Sequence, residues 1–143
     1  MIVGVPKEIK VRESRVGLVP NSVAELTGRG HRVLVETGAG AGIGAGDDAY
    51  KAAGAEIACS AADVFAGAEM IVKVKEPQPG EWVQLSSDQI LFTYLHLAAD
   101  LAQTRGLMDS GCAAIAYETI TDDAGGLPLL APMSEVAGRL SMI

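Results

Sequence analysis

Ile2-Val3-Gly4-Val5-Pro6-Lys7-Glu8 opens the chain with a short, β-branched run that stops on charge and leads into a charged loop holding Arg15. The pattern returns three times. Met70-Ile71-Val72-Lys73-Val74 ends at Lys75-Glu76-Pro77, Gln89-Ile90-Leu91-Phe92-Thr93-Tyr94-Leu95 ends at His96, and Cys112-Ala113-Ala114-Ile115-Ala116-Tyr117 ends at Glu118. Runs of this length and composition read as strands. Helix-like segments lie between them, and this alternation predicts an α/β domain with a central, mostly parallel sheet flanked by helices. Ligands of such sheets bind outside the carboxyl ends of the strands. Arg15, Lys75, His96 and Glu118 then converge on one crevice. A guanidinium, an ammonium, an imidazole and a carboxylate together suit an anionic small molecule whose chemistry needs proton transfer.

Working outward, Arg32-Glu36 and Glu56-Cys59 complete the expected strands. Pro20 suits a helix start, with the Gly28/Gly30 pair as its stop. Asp47 or Asp48 is placed to cap a helix through Ala53 that Gly54 ends, and Ser60 to cap Ala61-Ala66. Pro77-Gln78-Pro79-Gly80 reads as a turn. Leu97-Ser110 reads as a helix weakened at Gly106 by about 1 kcal/mol relative to Ala. Ser134 reads as the cap of a helix running into Ile143.

The bulk numbers narrow the function classes. The 143 residues are 49% hydrophobic and 20% charged, enough for one domain with a core. A net charge of −7 without Lys/Arg clusters argues against nucleic-acid binding, which phosphate neutralisation dominates. No apolar run approaches the roughly 20 residues of a membrane span, and the basic start of a signal peptide is missing, so the expected location is cytoplasmic. Cys59 and Cys112 sit far apart in apolar context and read as two buried thiols without a CxxC pattern. His31, in a polar turn, reads as solvated.

Gly40-Ala41-Gly42-Ile43-Gly44-Ala45 formally fits GxGxxG/A and follows a strand. Glycines alternate from Gly38 to Gly46, the loop is long, and Asp47-Asp48 at the next helix start would repel a pyrophosphate. The segment reads as a structural loop.

Longer motifs carry a resemblance. Val5-Pro6-Lys7-Glu8, Arg12-Glu13-Ser14-Arg15-Val16-Gly17-Leu18 with Pro20, and Glu36-Thr37-Gly38-Ala39-Gly40 resemble the N-terminal domain shared by alanine dehydrogenases and the α subunit of proton-translocating nicotinamide nucleotide transhydrogenases. Lys73-Val74-Lys75-Glu76-Pro77, Phe92-Thr93-Tyr94-Leu95-His96-Leu97-Ala98, Ala116-Tyr117-Glu118-Thr119 and Ala131-Pro132-Met133-Ser134-Glu135-Val136-Ala137-Gly138-Arg139 resemble the alanine dehydrogenase branch. The resemblance implies the reaction L-alanine + NAD + water to pyruvate + ammonia + NADH. It also implies a subunit of two lobes, of which this chain would supply the substrate lobe. The NAD-binding Rossmann lobe, a catalytic aspartate and a returning C-terminal segment would be lacking, and the isolated chain would be inactive.

Residue by residue, His96 falls on the catalytic histidine. An ordinary imidazole titrates near pH ~6.5 and can give and take a proton near neutrality. Arg15 and Lys75 fall on substrate-binding positions; a guanidinium can grip a carboxylate through two parallel N–H bonds, and an ammonium offers a compact charge. Lys73, two residues earlier, is the decoy, since only Lys75 stands at the strand end. Tyr94 and Met133 line the pocket or pack the core. Ser134 falls on a position that touches NAD, or caps a helix. Glu118 falls on a position that helps hold a divalent cation such as Mg with a histidine from outside this chain, although one carboxylate is not a metal site.

The expectation is therefore a flavodoxin-like substrate lobe over residues 1–131, with 132–143 beginning the helix that links to an NAD-binding domain. The alternatives are the transhydrogenase lobe and an inert assembly fragment. The resemblance implies a homo-oligomer, a hexamer. Apolar surface at Leu140-Ile143 predicts self-association of the isolated chain.

Overall fold

The protein is described from a computed structural model, covering residues 1–141. Six strands form one sheet: β1 (Ile2–Val5), β2 (Arg32–Glu36), β3 (Glu56–Ala58), β4 (Met70–Val72), β5 (Ile90–Thr93) and β6 (Ala113–Ala116). Every pairing is parallel. The helices are α1 (Pro20–Gly28), α2 (Asp47–Ala52), α3 (Ala61–Gly67), α4 (Pro79–Trp82), α5 (Leu101–Ser110) and α6 (Ala131–Leu140).

The α/β class and the parallel sheet are as the sequence predicts; the flavodoxin-like strand order is not. That order runs 2-1-3-4-5, whereas here the sheet runs β3-β2-β1-β4-β5-β6. Three strands, not two, are laid down before the chain crosses back over β1. This is the order typical of dinucleotide-binding sheets. The reversal falls between β1 and β4, so the crevice opens beside Lys7-Glu8 and Lys73-Lys75.

Strand alternation splits the core into two layers. Val3, Val5, Val33 and Val35 face one side and pack with Val23 of α1 and Tyr50 of α2. Ile71 and Leu91 face the other, with Val64 and Phe65 of α3 and Leu107 of α5. Gly4 faces α3 so closely that a Cβ there would stand 2.7 Å from Ala68 Cβ and 2.8 Å from Val64 Cγ1. Gly106 answers to the same constraint: a Cβ there would meet the Trp82 ring at 2.7 Å, so the missing side chain that lowers its helix propensity is what lets α4 lie against α5.

Several local expectations are corrected. Pro77-Gly80 does not close as a simple turn. Pro79 starts α4, with Gln78 and Glu81 exchanging side-chain bonds to each other's backbone N–H as a capping box. Ser60 does cap α3, accepting from Asp63 N–H. Asp47 does not cap α2. Gly46 holds that position, and the Asp47 carboxylate accepts from Thr37 Oγ1 at 2.7 Å and Gly38 N–H at 2.8 Å. Leu97-Ser110 is divided: a 3-10 turn over Leu97–Ala99 precedes α5, which Asp100 caps by accepting from Gln103 N–H. Pro132 in its first turn starts α6 at Ala131, so Ser134 lies inside the helix and caps nothing. Cys59 is exposed and Cys112 half-buried, not two buried thiols, because β3 and β6 are the sheet edges. His31 is half-buried in the α1–β2 turn. The expected apolar terminus at Met142 and Ile143 lies outside the described residues.

Candidate active site

The site stands on a buried charge cluster. Lys73 is fully buried, its Nζ 2.8 Å from Glu81 Oε1 and 3.2 Å from Glu8 Oε2. Glu8 Oε1 also accepts from Val74 N–H at 2.7 Å and, weakly, from Lys75 N–H at 3.4 Å. Lys73 therefore lies beneath the site, apart from Lys75. β4 ends at Val72, strand alternation ends with it, and the two side chains part. One ammonium between two carboxylates ties the end of β1, the end of β4 and α4 together at the sheet's reversal point.

Arg15 reaches the crevice from the loop after β1. The Glu13 carboxylate grips it twice, at 2.8 Å from Nε and 2.6 Å from Nη2. The Glu13 side chain is nearly buried, while that of Arg15 remains partly exposed. Hydrogen bonding from Arg15 holds the Glu13 carboxyl at about 2, well below its usual range, and the same bond raises the guanidinium further. Two of five guanidinium N–H groups are engaged, and three remain for a ligand. Past β4, the Lys75 carbonyl accepts from Thr93 Oγ1 at 2.9 Å, which binds the strand end to β5.

His96 follows β5 in the left-handed conformation, φ +49°. For a residue with a Cβ this costs about 1–2 kcal/mol, so the neighbouring structure must impose it. Glu118 Oε1 accepts from His96 N–H at 2.7 Å and Leu95 N–H at 3.0 Å. Gln103 Nε2, buried in α5, donates to the Leu95 carbonyl at 2.7 Å. The His96 imidazole stacks on the Tyr94 ring, centroids 5.8 Å apart and planes 11° from parallel. The Tyr94 hydroxyl donates to the Leu129 carbonyl at 3.3 Å and lies 3.1 Å from Met133 Sδ, which seats α6 over the site.

Six residues singled out in the sequence meet in one cavity of about 180 Å³: Arg15, Lys75, Tyr94, His96, Met133 and Ser134, joined by Leu130 and Ala137 of the α6 region. Glu118 is not among its walls; it lies behind His96. A larger apolar space of about 580 Å³ continues along α6, past Pro132, Met133, Val136, Ala137 and Leu140, with Arg15 and Lys75 at its mouth. A cavity of about 310 Å³ beside α1 holds no comparable convergence, only the loose Arg29–Glu25 pair.

The sequence reading missed Glu13, Glu8, Glu81 and Ala137. Glu13 lay two residues from Arg15 with no stated role. Glu81 was readable as a cap, since Pro79 and Glu81 suit the first and third helical positions. That Glu8 and Glu81 both meet Lys73 depends on tertiary placement.

The structure also tests the fit of the cofactors that the resemblance implies. The glycine loop is filled by this chain itself. A Cβ on Gly42 would stand 2.2 Å from the Ser14 carbonyl oxygen, and one on Gly40 2.6 Å from the Tyr50 ring. These glycines serve internal packing, as expected of a structural loop. The apolar shelf along α6, with Ser134 beside it, fits the flat reactive ring of a nicotinamide. A divalent cation fits poorly: the Glu118 carboxylate faces two backbone amides, and among the described residues no three His, Cys, Asp or Glu side chains cluster.

Comparison with known proteins places the domain as a whole. The family model for the alanine dehydrogenase/PNT N-terminal domain matches residues 4–137. An alanine dehydrogenase of Halomonas elongata is 56% identical over 142 residues, covering 99% of this chain and 38% of its own length. That of Bacillus subtilis is 55% identical over 141 residues, with 99% and 37% covered. A solved L-alanine dehydrogenase superposes with a TM-score of 0.94 at 55% identity, over 99% of this chain and 39% of that one. A transhydrogenase from Sinorhizobium meliloti is more distant, with a TM-score of 0.78 at 30% identity over 84% of this chain and 36% of that one. The chain thus spans less than two-fifths of the length of the alanine dehydrogenases it matches. Among the described residues no helix is long and apolar enough to cross a membrane. This chain belongs to the family of the alanine dehydrogenase/PNT N-terminal domain.

Proposed function

We propose that this domain is the substrate lobe of an NAD-dependent L-alanine dehydrogenase, which converts L-alanine, NAD and water to pyruvate, ammonia and NADH. The observation that carries the reading is the meeting of Arg15, Lys75 and His96 in one small cavity beside an apolar shelf. Arg15, preset by Glu13, binds the substrate carboxylate. Lys75 binds its carbonyl oxygen. His96 takes a proton as water adds at the imino carbon and returns one as ammonia leaves. Tyr94 and Met133 close the wall around the small methyl group. NAD, when bound, accepts the hydride from the α-carbon; Ser134 and the apolar face of α6 are the residues here that would meet it.

The same reading makes residues 1–131 the substrate domain and 132–143 the start of the link to an NAD-binding domain. The isolated chain is inactive in this view, and the whole protein is a cytoplasmic homo-oligomer, a hexamer; these points rest on the resemblance. The exposed Met133, Val136 and Leu140 on α6 support a covering partner there. The greater likeness to alanine dehydrogenases favours this reading over the transhydrogenase one.

The test is NADH oxidation with pyruvate and ammonia by the full-length protein and its His96→Ala variant. A loss of roughly two to four orders of magnitude in turnover is expected for an acid/base residue. Full activity in the variant overturns the assignment.

A further inference from the structure

Among the described residues, only His96 and Arg12 adopt positive φ without being glycine. Arg12 sits in an exposed loop, whereas His96 is at the centre of the site. Its backbone is gripped from two directions. From the sheet side, Glu118 accepts the consecutive N–H groups of Leu95 and His96, both on Oε1, with Oε2 a further 3.3 Å from Leu95 N–H. Successive amides converging on one anion form a nest that requires this kind of twisted backbone. From the helix side, Gln103 binds the Leu95 carbonyl, and Ala99 N–H donates to the His96 carbonyl at 3.0 Å.

Glu118 is itself fixed. It lies in a 3-10 turn, Tyr117–Thr119, directly after β6. The Tyr117 hydroxyl donates to the Lys73 carbonyl at 2.9 Å, and the Tyr117 ring packs edge-on against Phe92 and Tyr94. Burial pushes the Glu118 carboxyl up, but the amides of His96 and Leu95 outweigh it and leave it below its ordinary value. The carboxylate is thus anionic and committed to backbone.

We propose that Glu118 is the positioning residue for His96, holding it in the left-handed conformation that presents the imidazole to the substrate, and that Glu118 acts through the histidine rather than as a cation ligand. The proposal rests on the acid/base role given to His96 above. It makes the carboxyl ends of β5 and β6 one unit: β5 supplies the imidazole and β6 sets its direction. Arg15 and Lys75 are anchored independently by Glu13 and Glu8. Loss of Glu118 should therefore lower turnover and leave carboxylate binding nearly intact.

The experiment uses the full-length enzyme with Glu118→Ala, Glu118→Gln, His96→Ala and the two double variants combining them. Turnover and the pyruvate KM are measured with EDTA and with added MgCl2. Glu118→Ala is expected to lower kcat by roughly 10- to 100-fold while KM changes less than about threefold. Glu118→Gln, whose amide oxygen still accepts from the nest, should recover most of that loss. His96→Ala/Glu118→Ala should be no slower than His96→Ala alone, the non-additivity of groups acting through one another. EDTA should leave the wild type unchanged. Should Glu118→Ala fail to fold, Glu118→Gln and its double variant carry the same comparison. Additive losses in the double variants, or a Glu118→Gln enzyme restored only by excess Mg, would overturn the proposal and return Glu118 to a cation. Full activity of His96→Ala would instead overturn the acid/base reading on which it rests.

Discussion

Lys73→Met removes the charge at the base of the site while keeping most of the side chain's volume. Lys73 Nζ lies 2.8 Å and 3.2 Å from its two carboxylate partners, with side chains 0% exposed for Lys73, 2% for Glu8 and 4% for Glu81. At an effective dielectric of about 20, each contact corresponds to roughly 5–6 kcal/mol of Coulomb attraction, offset by the desolvation of three charges. The net value of the pairs is therefore modest. Breaking them is different, because two buried carboxylates would lose their only shared cation. The expected destabilisation is about 3–5 kcal/mol, a large part of a typical domain's stability. Urea unfolding followed through Trp82 reads it directly, since this tryptophan adjoins Glu81 and is the only one in the chain. The companion Lys73→Met/Glu8→Gln/Glu81→Gln, which neutralises all three groups, should regain at least half of the loss. A single variant within about 1 kcal/mol of the wild type would refute the reasoning, as would a triple variant no more stable than the single one.

Two further predictions concern the Arg15 loop. Glu13→Gln should raise the pyruvate KM about tenfold with little change in kcat, because the guanidinium loses its bidentate anchor but the acid/base residue is untouched. The Glu13 carboxyl lies at about 2 against an ordinary 4.5, so its stabilisation is complete above pH 4.5 and disappears as pH falls toward 2; the variant's acid-unfolding curve should be flatter across that window. Gly42→Ala places a methyl 2.2 Å from the Ser14 carbonyl oxygen. The loop must shift at a cost of about 1–3 kcal/mol, seen as a lower melting temperature and, through the adjacent Arg15, a higher KM.

The strand ends proved the most legible part of the sequence. Short hydrophobic runs that stop on charge located β1, β4, β5 and β6, and parallel-sheet geometry alone then predicted that Arg15, Lys75, His96 and Glu118 would meet; the first three share the cavity, and Glu118 stands behind His96. Element interiors and caps were legible where the signal was chemical, as at Pro20 and Ser60. They failed where two signals competed. Asp47 suits a cap, but Thr37 and Gly38 at the end of β2 offer its carboxylate better partners. Ser134 suits a cap, but Pro132 had already started the helix. The strand order was not legible, since two or three strands before the reversal give the same local pattern. Nor was the work of Glu8 and Glu118. Each acts on groups brought close only by the sheet, 65 residues apart in sequence for Glu8 and Lys73.

β6 has a consequence for the life of the domain outside any assembly. It is an edge strand whose sequence, Ala113-Ala114-Ile115-Ala116, carries no charge and no proline, and its first three residues are exposed. Natural edges are usually blunted by a lysine, a bulge or a covering segment, because a bare row of N–H and C=O groups templates pairing with any passing strand. This edge has none of these within itself. Within the described residues the sheet therefore keeps an open margin two residues before Glu118. A segment pairing along that margin would cover the template and leave no open edge beside the turn that carries Glu118.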